Sequence, residues 1–252
     1  MEQPRQNSLL TLPGAIIVAG TIIAIAIIWT QKPIIQNPDA NLAAAVPNQA
    51  GQLNIATITN EDHILGDPNA PIKIVEYSDA SCPFCKMFHP TMKQIIEEYG
   101  PEGKVAWVYR HFPLDKPDPQ GRVLHPNAGY EAQAMECAAE IGGNEKFWAF
   151  TNRLYEVTPA VTAQTPAGLP REEIPKIAQY AGLDVNSFNE CLSSGRYKAA
   201  VDADYIDGLN AGIQGTPFSV IITPTGTKIP ITGAQPYANV KASIDAILSA
   251  TR

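Results

Sequence analysis

The chain has 252 residues, 45% of them hydrophobic, and a formal net charge of −7. That allows one large domain, or one domain with appendages, with ample material for a core. No run of Lys or Arg occurs, so a nucleic-acid partner is not expected, because phosphate binding needs clustered positive charge.

The first thirty residues differ from the rest. Leu9 to Trp29 carries no charged side chain, and Ile16 to Ile28 is mostly Ile, Ala and Val. A run of about 20 such residues can cross a bilayer at about 1.5 Å per residue. A cleaved signal peptide would have a shorter apolar region with a small-x-small site close behind it. Here the nearest such site after Trp29 is Ala43-Ala44-Ala45. The expectation is an uncleaved anchor over 9–29, after a tail over 1–8. Its orientation is nearly balanced by charge, with Arg5 and Glu2 before the span and Lys32 after it. Residues 30–62, interrupted by Pro33, Pro38 and Pro47, read as a flexible arm, the apolar stretch Leu53 to Ile58 being too short to build a core.

The folded domain is expected over 63–252. Ile72 to Tyr77 is β-branched and bounded by Pro71 and Asp79, a strand signature. From Pro83 the apolar spacing changes to three and four, through Phe84, Met87, Phe88, Met92, Ile95, Ile96 and Tyr99, which predicts a helix ending at Gly100 and bent at Pro90. Lys104 to Phe112 is a second strand, and 113–125 a loop with three prolines. Helical periodicity follows over Asn127–Ile141, Asn144–Val157, Arg171–Ala181, Asp184–Ser193 and Arg196–Asn210, with Gly142, Gly182 and Gly195 where helices should end. Strands resume at Phe218–Thr223 and Lys228–Thr232 around the turn Pro224-Thr225-Gly226, and Tyr237–Ala250 closes the chain as a helix. The order is βαβ, a block of helices, then ββα: an α/β fold with a helical insertion at about 126–211.

Cys82-Pro83-Phe84-Cys85 stands where the first strand passes into the first helix. Proline is favoured at the first helical position, so Cys82 faces the free N–H groups and the positive end of the helix dipole. Both favour thiolate over thiol. Cys85 lies one turn inside. The pair reads as an exposed nucleophile with a shielded resolving thiol behind it. Zinc would need about four ligands. Cys82, Cys85 and His89 share a helical face, but no second Cys-x-x-Cys or His pair exists. A purely structural bridge across so small a loop would constrain the unfolded chain little. A redox pair after a strand and opening a helix is the motif's expected context.

With Pro90 in the helix, this motif resembles the thioredoxin superfamily active site. The wider set resembles the DsbA-like oxidoreductases, the branch with a helical insertion: Leu65-Gly66-Asp67-Pro68, Val75-Glu76-Tyr77-Ser78-Asp79, Phe112-Pro113-Leu114, His125-Pro126-Asn127-Ala128, Cys137-Ala138 and Gly215-Thr216-Pro217. The resemblance covers about 63–252 and leaves the anchor and arm outside. It implies a cis Pro217 lying against the cysteine pair, with the Thr216 backbone offered to an extended peptide, a mode nearly blind to sequence. Without the resemblance, Pro217 would be an ordinary trans proline opening a strand.

Glu76 shares a strand face with Ile72, Ile74 and Ser78. It is either a solvated strand end or, as in the family, a buried acid beneath the cysteines that carries protons for Cys85. Cys137 and Cys191 both point from apolar helix faces. In an oxidising compartment they pair, as in some relatives; the alternative is two buried free thiols. Phe84, between the cysteines, offers an apolar contact to substrate. His89 reads as a helix-surface residue, His125 as a loop residue entering a helix, and Trp107, Tyr109 and Trp148 as core or groove aromatics.

The resemblance therefore implies a thiol–disulfide oxidoreductase in the periplasm or extracellular space, introducing disulfides into reduced exported proteins through Cys82 and Cys85, and the apolar segment over 9–29 adds the expected membrane tether. A quinone-linked membrane partner would re-oxidise it. No organic cofactor is indicated. The helical insertion favours an oxidase, with a reductase or isomerase of the same fold as the alternative. From other classes come a copper carrier using Cys82, Cys85 and His89, and a redox-inert peptide binder using the Thr216-Pro217 edge.

Overall fold

The computed structural model describes residues 53–117, 120–159 and 168–250. The chain divides into two units, 1–47 and 48–252, and every described residue lies in the second. The anchor expected over 9–29 lies outside the described residues. No described helix is long and apolar enough to cross a membrane.

Five strands form one sheet in the order β1-β3-β2-β4-β5. They are β1 (His63–Leu65), β2 (Ile72–Ser78), β3 (Val105–His111), β4 (Phe218–Ile222) and β5 (Lys228–Thr232). β2 and β3 run parallel, so a crossover must join them, and α1 (Pro83–Tyr99) is that crossover. The pairs β1–β3, β2–β4 and β4–β5 are antiparallel. Between β3 and β4 lie α2 (Ala128–Val157), a short 3₁₀ turn (Arg171–Glu173), α3 (Ile174–Tyr180), α4 (Val185–Ser194) and α5 (Lys198–Asn210); α6 (Tyr237–Ala250) ends the domain. This is the expected thioredoxin-like α/β architecture with a helical insertion.

The two helices expected on either side of Gly142 do meet there: α2 is a pair of helical segments joined by a kink at Gly143, whose φ of +71° only glycine adopts without strain. Gly195 ends α4 in the left-handed conformation, as expected (φ +64°). α1 runs through Pro90 unbroken. β1 was not expected: three residues are too few to show a period.

Strand alternation divides the core between the two sheet faces. Ile72 and Ile74 face Phe88, Met92 and Ile95 of α1, Val240 and Ile244 of α6, and the insertion's Phe147, Phe150 and Leu154. Val75, Tyr77, Val108, Phe112 and Val220 face the other way and are covered by Leu53, Ile55 and Ile213. This corrects the arm expected over 30–62, since Leu53 and Ile55 are buried and the packed body begins ahead of His63. Leu53 to Ile58 builds no core alone; it completes one whose other half is the sheet. Arg110 ties the segment down through Asp62 (2.8 Å) and the Ala56 carbonyl (3.1 Å), and also reaches Asp207 of α5 (2.9 Å).

Candidate active site

The chain leaves β2 at Ser78, turns through Asp79 to Ser81, and enters α1 at Cys82. Cys82 is the N-cap in extended conformation, with Pro83 as the first helical residue. Asp79 shapes the turn: its Oδ1 accepts from the Ser81 N–H (2.8 Å) and its carbonyl from the Cys82 N–H (3.0 Å). Lys86 donates to the Glu156 and Thr158 carbonyls at the end of α2 (3.0 and 2.6 Å), fixing the first turn of α1 against the insertion.

Cys82 and Cys85 carry free thiols. The sequence reading made Cys82 exposed; it is only 4% exposed, because the Thr216 segment covers it. Its Sγ lies 3.5 Å from the Thr216 carbonyl oxygen, which accepts from the thiol when Cys82 is protonated. The Thr216–Pro217 peptide is cis, and Pro217 is buried ahead of β4. The Cys82 pKa is lowered to about 6. The Cys85 thiol hydrogen bond leads that fall, the Cys85 backbone N–H adds to it, and burial opposes it. Cys85 moves the opposite way, its pKa raised by burial first and then by the Cys82 contact. At neutral pH this leaves an ionised outer sulfur and a protonated inner one.

Glu76 lies on the face of β2 that carries Ile72 and Ile74, whose core also contains Cys82 and Cys85. It is 1% exposed, not a solvated strand end, and its Oε2 has no hydrogen-bond partner. Burial raises its pKa to about 7. Nearby, Ser78 Oγ, Tyr155 Oη and Tyr109 Oη form a buried chain of hydroxyls at 2.8 and 2.9 Å.

His89 is buried, which corrects the surface placement. Its Nε2 hydrogen-bonds Asn152 Oδ1 (2.7 Å), its ring stacks on Tyr155, and burial lowers its pKa to about 4. Among the described residues, no group of three or more His, Cys, Asp or Glu side chains is arranged to hold a metal. Phe84 and Met87 stand beside the cysteines, 59% and 66% exposed. Cys137 of α2 and Cys191 of α4 are bridged (S–S 2.00 Å, Cα–Cα 5.8 Å), tying together two insertion helices. Trp107, Tyr109 and Trp148 pack in the core.

Four polar residues were not picked out for this site. Asp79 Oδ2 accepts from His125 Nδ1 and the Leu114 N–H, each at 2.8 Å. Ser81 Oγ donates to Glu131 Oε2 (2.7 Å), and burial raises the Glu131 pKa to about 7. The legible signal was Asp79 itself, an Asp two residues before a Ser at a strand-to-helix turn. His125 lies 46 residues beyond Asp79 and Glu131 50 beyond Ser81.

A disulfide bond formation protein D, named as probable, from Bacillus anthracis is 27% identical over 159 residues, covering 61% of this chain and 66% of that one. The crystal structure of Pseudomonas aeruginosa DsbA2 superposes with a TM-score of 0.60 at 25% identity, covering 75% of this chain and 96% of that one. The Na(+)/H(+) antiporter NhaA 3 of Salinispora tropica is 30% identical over 164 residues, covering 63% of this chain and 21% of the antiporter. The chain thus spans about a fifth of the length of such antiporter relatives. The thioredoxin family model matches residues 58–246, three-quarters of the sequence and all of its sheet, and the chain belongs to the thioredoxin family.

Proposed function

We propose that this chain is a thiol–disulfide oxidoreductase working outside the cytoplasm, as an oxidase of reduced exported proteins. The observation that carries the reading is the opposed ionisation of Cys82 and Cys85 at one helix start. A stable Cys82 thiolate stabilises the reduced enzyme and so makes the disulfide form oxidising. The Cys137–Cys191 bridge suits an oxidising compartment. The likeness to DsbA2 and to a disulfide bond formation protein supports the same direction.

In the oxidised enzyme, Cys82 and Cys85 form the redox disulfide. A substrate thiolate attacks Cys82 Sγ, forming a mixed disulfide and expelling Cys85 as thiolate. Glu76, holding a proton near neutral pH, protonates Cys85. A second substrate thiolate then attacks the substrate sulfur and expels Cys82, a good leaving group because its thiolate is stable. Two substrate thiols become a disulfide and the enzyme becomes a dithiol. Thr216 and Pro217 present the backbone edge that holds the peptide, with Phe84 as its apolar contact. A quinone-linked membrane protein restores the disulfide, and 9–29 anchors the domain to the membrane.

The test is the equilibrium potential of the pair against glutathione, with refolding of a reduced protein as the activity readout. A value near −120 mV, that of DsbA, fits an oxidase, whereas one near −270 mV, that of thioredoxin, makes it a reductase. Exchange that survives Cys82→Ser, or stoichiometric metal with no exchange, sinks the enzyme reading.

A further inference from the structure

The Asp79 carboxylate is fully buried and saturated with donors from three stretches of chain: Ser81 in the turn, Leu114 after β3, and His125 before α2. One side chain thereby fixes the turn that ends in Cys82. It also sets a negative charge close to the sulfur, which by itself disfavours a thiolate. The charged or titratable groups facing Cys82 are Cys85 from α1, Glu76 from β2, Asp79 from the turn and His125 from the loop before α2. His125 in turn faces Asp79, Cys82 and Glu131. Glu131 is held by Ser81 and faces Asp79, His125 and Arg171. Among these groups His125 is the one that can bring a positive charge, and its ring is coupled to Cys82.

We propose that Asp79 and His125 act as a positioning pair for Cys82, Asp79 pinning the active-site turn and His125, as an imidazolium on Asp79, cancelling that carboxylate's repulsion of the thiolate. The proposal rests on the exchange reading above and deepens it. Burial is the largest influence and works against charge on His125, but the Asp79 hydrogen bond and charge, together with the charges of Cys82 and Glu131, raise the ring's pKa on balance. That rise favours the imidazolium beside the Cys82 thiolate.

The variants are His125→Asn, which keeps an N–H donor toward Asp79 but no charge, and Asp79→Asn combined with His125→Asn, which removes both charges. The readouts are the ultraviolet absorbance of the thiolate against pH in the reduced protein and the potential against glutathione. His125→Asn is expected to raise the Cys82 midpoint by about one pH unit, the low end of what a nearby opposite charge produces, and to make the couple about 30 mV more reducing. The double variant is expected to return most of the way to the unmodified protein. A merely structural pair would leave the double variant no better than the single one, and that outcome overturns the proposal. If either variant fails to fold, the His125 ring is titrated by NMR in the unmodified protein. Its midpoint is expected to be higher in the reduced protein, beside the thiolate, than in the oxidised one; equal midpoints overturn the proposal. Normal exchange by the unmodified protein with no shift in the variants refutes only this pair, whereas no exchange at all refutes the function.

Discussion

Glu76 gives the most direct quantitative test of the site. Its pKa is raised from 4.5 to about 7, chiefly by burial. At about 1.4 kcal/mol per pH unit, the native state disfavours the ionised carboxylate by about 3 kcal/mol. Between pH 4.5 and 7 the native protein keeps this proton while the unfolded chain has lost it. Glu76 therefore costs no stability at low pH and progressively more as pH rises through that window, with the full loss reached above it. Glu76→Gln removes the titration. In urea unfolding of the oxidised protein, whose active-site cysteines do not ionise, the variant should gain about 3 kcal/mol relative to the unmodified protein between pH 4.5 and pH 8. Taking the difference cancels Glu131, which follows the same trend. In the mechanism proposed above, where Glu76 carries the proton of Cys85, the same variant should also slow exchange by about tenfold or more. A stability difference that stays flat across the window would refute the reasoning, for it would mean that Glu76 ionises like a solvated acid.

Two further outcomes concern the scaffold. The bridge between Cys137 and Cys191 spans 54 residues, and loop-closure entropy gives its loss in a Cys137→Ala, Cys191→Ala variant a cost of about 4 kcal/mol in denaturant unfolding. Full stability without the bridge would contradict its structural role. Arg110 is buried among Asp62, Asp207 and the backbone of the 53–62 segment. Arg110→Ala strands those carboxylates and should cost about 3–5 kcal/mol, read as a fall in the unfolding midpoint. If hydrogen exchange then shows 53–62 still as protected as before, the segment is held by Leu53 and Ile55 alone.

What the sequence determined was everything whose cause is local. β5 and α6 begin and end where period and turn residues put them, and the cysteine motif marked its own helix start, because Pro83 is tolerated only where the N–H has no partner. Glu76 could be placed on a strand face, since alternation is a property of a few consecutive residues. What lay over that face could not, and burial there decides whether it is a solvated acid or a proton carrier. The same limit explains His89, whose helical position was legible while Asn152 and Tyr155, which enclose it, come from another helix. It explains Leu53 and Ile55, apolar residues in a polar arm until the far face of the sheet is set against them. Tertiary structure alone brought Asp79 to His125 and Ser81 to Glu131. Hydrogen bonding and desolvation act between neighbours in space, and these neighbours are separated in sequence by the whole of α1, the whole of β3 and a loop.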